Sequence, residues 1–110
     1  MANTFKRKLS RSVGTSSTAV GGYTVPSSTQ VTVIGLIVSN RAASQVLVDV
    51  TLNDGTNDTY LIKDAPLPSG GSMIIIGGDQ KVVLETNDSI KIASDTASSL
   101  DAIMSILEIT

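Results

Sequence analysis

GGDQK, residues 77 to 81, is the part of this chain closest to a chemical motif, because paired glycines beside polar residues suit a phosphate-cradling loop. Such a loop also needs a following helix whose free N–H groups face the anion. VVLE follows instead, β-branched and strand-forming, and Asp79 stands where the anion would lie. Neither the dinucleotide nor the Walker spacing is present. The segment reads as a hairpin turn with glycine at positive φ. NDGTND, residues 53 to 58, places Asp54, Thr56 and Asp58 at alternating positions, as a calcium loop does. No Glu closes it at the required distance, and Asn, Asp and Gly are equally the residues of a tight turn, which is the preferred reading.

The other chemistry-bearing residues are scattered. Asp54, Asp58, Asp64, Asp79, Asp88 and Asp95 all lie in turn-like contexts, and no aromatic platform for a sugar accompanies them. The chain has no His, Cys or Trp. Ser–His and Cys–His nucleophile pairs are therefore excluded, a structural zinc is disfavoured, and a disulfide framework is impossible. The sequence implies no catalytic residue, no cofactor, no metal and no small-molecule substrate.

Charge is concentrated at the start. Lys6, Arg7, Lys8 and Arg11 are half of the eight basic residues, and residues 1–12 hold no acid. A body carrying the other four basic and all ten acidic residues follows this segment. Residues 1–12 read as a basic N-terminal arm and residues 13–110 as one domain. The arm has three readings: docking on a protein, a solvated tail, or phosphate neutralisation on nucleic acid. Phe5 beside the cluster supplies an apolar anchor and favours docking through Phe5, Lys6, Arg7, Lys8 and Arg11. The acidic body and the scarcity of rings (Phe5, Tyr23 and Tyr60 only) disfavour nucleic acid.

The elements that must position these groups read as strands. Residues 10–30 are rich in Ser, Thr and Gly and suit an extended lead-in, with Pro26 confining GYTV to an edge or a strand end. TQVTVIGLIVSN is apolar on both faces. SQVLVDVTLN alternates, with Val46, Val48, Val50 and Leu52 on one side. TYLIKD, SMIII, KVVLE and SIKIAS follow, separated by turns or by APLPSGG, read as a loop. No helical crossover separates them, so the expected fold is all-β: an antiparallel β-sandwich, jelly-roll-like, with an extended N-terminal arm. Residues 96–110 also fit a helix, with Leu100, Ile103, Met104 and Leu107 at helical spacing, but the β-rich remainder favours a strand.

TQVTVIGLIVSN and LDAIMSILEIT carry more apolar surface than one thin sandwich requires. Either both are central strands, or one face meets a second subunit through Ile103, Met104, Ile106, Leu107 and Ile109. No segment approaches the ~20 apolar residues of a membrane helix, and no apolar stretch follows the basic residues as in a secretory signal, so a soluble chain made in the cytoplasm is expected.

With MANTFK, SVGTS, YTVP, VTVIGLIVSN, KDAPLPSGGS, GGDQKVVLETNDSIKI and DAIMSILEI, the chain resembles small virion structural proteins of tailed bacteriophages, notably those of marine cyanobacteria. The resemblance runs nearly end to end. It implies a non-enzymatic virion component that assembles symmetrically on the capsid or at the neck and tail; the leading reading is a capsid decoration or cement subunit, a homo-oligomer assembled in the host bacterial cytoplasm that docks on other virion proteins. A neck, collar or tail adaptor is the alternative within that class. A carbohydrate- or receptor-binding module is the competitor outside it, weakened by the lack of rings. No site residue carries over, since the shared positions are turn glycines and core aliphatics.

Overall fold

The computed structural model describes residues 2–77 and 79–110. They form nine strands in two antiparallel sheets. These are β1 (Asn3–Val13), β2 (Thr18–Ala19), β3 (Gln30–Asn40), β4 (Val46–Asn53), β5 (Asp58–Leu67), β6 (Ser72–Ile76), β7 (Val82–Leu84), β8 (Ser89–Ser94) and β9 (Leu100–Ile109). The first sheet runs β1-β9-β3-β6, with β7 also on β3; the second runs β2-β8-β4-β5. The all-β, antiparallel expectation is met.

Period-two burial explains why these segments are strands. On β4, Val46, Val48 and Val50 are buried, and on β9 so are Leu100, Ala102, Met104 and Ile106, every second residue. Read as a helix, β9 would have spread these side chains around its axis. As a central strand, laddered to β1 on one side and β3 on the other, it aims all four inward. They join Val31, Val33, Leu36 and Val38 of β3 and the inward residues of β4 and β8 in one aliphatic core. Burying each such side chain is worth about 1.5–3 kcal/mol before the entropy of ordering it.

Three segments depart from expectation. Residues 3–13 do not form an arm apart from the body: they are β1, an edge strand paired to β9 from Asn3↔Ile109 to Val13↔Leu100. Clustered charge hid its alternation. Ala65, Pro66 and Leu67 were expected in a loop but belong to β5, where Pro66 sits opposite Leu47. β5 is an edge strand, so a proline without an N–H costs no ladder bond on its open side.

GGDQK is not a hairpin turn between two paired strands. β6 pairs with Leu36–Ser39 of β3 and β7 with Val31–Val33, so both lie end to end along one edge. Between them Gly77 and Gln80 form an isolated antiparallel bridge, with the Gln80 N–H donating to the Gly77 carbonyl at 3.1 Å. Gly77 is not among the residues at positive φ, and Gly78 lies outside the described residues. A Cβ on Gly77 would come within 2.9 Å of Ile74 Cγ2, so close approach, not φ, explains the glycine there.

Candidate interaction surface

NDGTND, read above as a turn in preference to a calcium loop, is a self-contained turn. Asp54 Oδ1 accepts the N–H groups of Thr56 (2.9 Å) and Asn57 (2.7 Å), and Asn53 Oδ1 accepts that of Gly55 (2.8 Å). These bonds hold the Asp54 carboxyl below its usual range, the Asn57 N–H first and the Thr56 N–H second. Gly55, at φ 99°, turns the chain. Among the described residues no group of three or more His, Cys, Asp or Glu is placed to hold a metal.

The basic residues of β1 divide by face. Directly opposite residues of an antiparallel pair point the same way, and Lys6 and Lys8 lie opposite the buried Ile106 and Met104. They therefore point toward the inner side. There Lys6 Nζ lies 3.0 Å from Glu108 Oε1, and the Tyr23 hydroxyl donates to Glu108 Oε2. Lys8 Nζ stands 4.7 Å from the centre of the Tyr23 ring. The Tyr23 hydrogen bond, then that from Lys6, holds the Glu108 carboxyl below its ordinary value, outweighing its burial. Burial chiefly, and then Glu108, pushes the Tyr23 hydroxyl up. An inward charge satisfied in this way both anchors an edge strand and discourages its pairing with other chains.

Phe5, Arg7 and Leu9 take the other face. Each lies opposite an outward residue of β9: Leu107, Ser105 and Ile103. Those in turn lie opposite Thr32, Gly35 and Ile37 of β3. Val83 of β7 lies opposite Thr32, and Ile74 of β6 opposite Ile37. The outer face of the first sheet is therefore ruled into rows that cross it from edge to edge. One row is wholly aliphatic: Leu9, Ile103, Ile37, Ile74. A second, four residues along, reads Phe5, Leu107, Thr32, Val83. Between them runs a row in which Arg7 is followed by two small residues, Ser105 and Gly35. Phe5, Ile74, Val83 and Ile103 are 75%, 70%, 62% and 52% exposed, too much apolar surface on one face to be incidental scatter.

Arg11 lies in the irregularity between Ser10 and Val13 and is exposed. Beside it, Ser12 adopts φ 54° and donates its N–H to Asp101 (3.0 Å), while Arg41 reaches both Ser12 Oγ (2.6 Å) and Asp101 (3.4 Å). That cluster fastens the end of β1.

Of the residues expected on a subunit interface, Ile103 is exposed and Leu107 and Ile109 are half-buried on the outer face. Met104 and Ile106 are corrected: both are fully buried within the chain's own core. Sequence reading missed Tyr23 and Glu108; Glu108 is the one carboxylate among the inward residues of β9, which only the register against β1 and β3 reveals.

No family model matches the chain, and no curated protein matches it. Two solved structures of a pentameric capsid protein isolated from metagenomic phage sequences are similar to it. Each is 16% identical over 96% of this chain, with TM-scores of 0.40 and 0.41. The chain spans 60% and 58% of the length of those solved chains.

Proposed function

We propose that this chain is a non-enzymatic structural subunit of a bacteriophage virion, self-associating and docking on other virion proteins. The observation that carries the reading is the apolar outer face of the β1-β9-β3-β6/β7 sheet, which an isolated subunit would leave in water. Two further features support it. Taking β6 and β7 as one lane, the strand orders are 1-9-3-6/7 and 2-8-4-5, the interleaving expected of a jelly-roll sandwich, an architecture used in viral shells and in lectins. The sequence resemblance described above favours a virion component over a lectin. Within that reading the chain is a decoration or cement subunit: Phe5 and Arg7 on the outer face of β1 belong to the surface that self-associates, and exposed Arg11 at the end of β1 is left for docking on other virion proteins. Lys6 and Lys8, engaged with Glu108 and Tyr23, hold β1 in place.

The test is quantitative mass spectrometry and antibody labelling of purified particles. A fixed copy number per particle, with labels on the shell, is the expected result. Labels confined to the neck or tail would replace decoration with an adaptor role. Absence from particles, or specific hits on a glycan array, would overturn the reading.

A further inference from the structure

The outer face of the first sheet presents nearly the same pattern read from either edge. In the aliphatic row the two outer members are Leu9 and Ile74 and the two inner ones Ile103 and Ile37. In the second row the ends are Phe5 and Val83. The middle row differs in the charge at its two ends. It begins at Arg7 on β1, and at the far edge it meets Gly77 and Asp79–Lys81, which lie between Leu36↔Ile76 and Val33↔Val82 and include exposed Asp79 with Lys81 two residues on. Among the described residues Arg7 has no ion-pair partner.

We propose that this face packs against the same face of a second copy, about a twofold axis running parallel to the strands. The proposal rests on the self-association in the reading above and names its surface and symmetry. Rotation about such an axis exchanges the two edges and keeps each row at its own height. Leu9 then faces Ile74 of the second copy, Ile103 faces Ile37, and Phe5 faces Val83. Arg7 faces Asp79 at both ends of the middle row, so one contact supplies two opposite-charge pairs, as a self-complementary interface must. Ser105 and Gly35, small and central, leave room for the flanking rows to approach.

Area agrees. Four lanes about 4.8 Å apart and eleven residues at about 3.4 Å give roughly 700 Å², close to the ~800 Å² that each partner buries in a standard interface. Sheets packed face to face cross at about 30°, which displaces the ends of the middle row by only about 4 Å, within the reach of an arginine.

The experiment is sedimentation of the full chain across a concentration series, with four variants whose folding is checked by circular dichroism. The wild type is expected to be dimeric. Arg7→Asp and Asp79→Arg should each weaken the dimer at least about tenfold by setting like charges opposite one another twice. The double variant should return to within about threefold of wild type, because the pairs are re-formed in reverse. Ile37→Asp should leave a folded monomer. A wild type that stays monomeric at every concentration overturns the proposal together with self-association. An oligomer indifferent to these variants, or a double variant no better than the singles, overturns this surface while leaving self-association standing.

Discussion

The two sheets share one core yet turn different faces to the outside. The outer rows of the first sheet are Leu9, Ile103, Ile37 and Ile74, then Phe5, Leu107, Thr32 and Val83. On the second sheet, Asp49, Thr51 and Asn53 of β4 alternate with the buried valines, beside Lys91 and Ala93 of β8 and Tyr60 and Lys63 of β5. Its polar groups are mutually engaged. Asp49 Oδ1 accepts the Asp64 N–H at 2.7 Å, Asp95 Oδ1 accepts that of Leu47 at 3.0 Å, and Asn53 donates to Asp58 at 2.6 Å. One side of the molecule is finished for water and the other is not. Both sheets needed an apolar inner face to fold; of the large apolar side chains left exposed among the described residues, Phe5, Ile37, Ile74, Val83 and Ile103 lie on the first sheet and Tyr60 alone on the second.

The sharpest way to break this contrast is to compare neighbours on β9 that point in opposite directions. Ile106→Ala removes a buried side chain and should cost about 2–5 kcal/mol in chemical denaturation. Ile103→Ala, three residues away on the outer face, should change monomer stability by no more than about 0.5 kcal/mol. Equal costs would mean that the outer face is already covered within the monomer. The second contrast sets one sheet against the other. Ile37→Asp should weaken self-association at least about a hundredfold, by burying a charge in an apolar contact. Lys91→Asp on the second sheet should leave it unchanged in the same sedimentation experiment, and an equal loss would move the contact to the polar face.

This difference between faces was only partly legible in the sequence. Val46, Val48 and Val50 alternate openly with polar partners, so β4 and its inner face were readable. β9 was not, because Ile103, Met104, Ile106 and Leu107 are all apolar and periodicity cannot say which pair faces in. Only register against β1 and β3 separates Met104 and Ile106 from Ile103 and Leu107. β1 failed for the opposite reason: four cations in six residues look like a solvated arm, although Phe5, Arg7 and Leu9 alternate with Lys6 and Lys8 as a strand should. The partner that makes inward lysines tolerable, Glu108, lies a hundred residues downstream.

That pairing makes β1 sensitive to acid. Glu108 is held below its ordinary value of 4.5 by Tyr23 and then Lys6, so its ionised form is favoured by folding. The stabilisation is present above the unfolded value and is lost as pH falls through the lower folded one. Amide exchange in β1 should therefore accelerate below about pH 4 before the core strands respond. Glu108→Gln should remove this pH dependence and cost about 1–2 kcal/mol at neutral pH, through the lost charge-assisted bonds. Unchanged exchange in acid would show that backbone pairing alone holds the strand.

The smallest expected effect concerns a flaw on the finished face. Thr51 points outward on β4 yet is only 5% exposed, in register between Tyr60 and Lys91, and its hydroxyl has no hydrogen-bond partner. A buried hydroxyl without a partner has given up water for nothing, so Thr51→Val should stabilise the chain by about 1 kcal/mol, read as a rise of several degrees in Tm. Thr32→Val makes the same change on the open face of the first sheet. There it should leave the monomer within about 0.5 kcal/mol and tighten self-association instead, because Thr32 stands between Leu107 and Val83 in a row that water still covers. If both substitutions act on the monomer alone, the two outer faces are equivalent surfaces, and the asymmetry between them is one of composition without consequence.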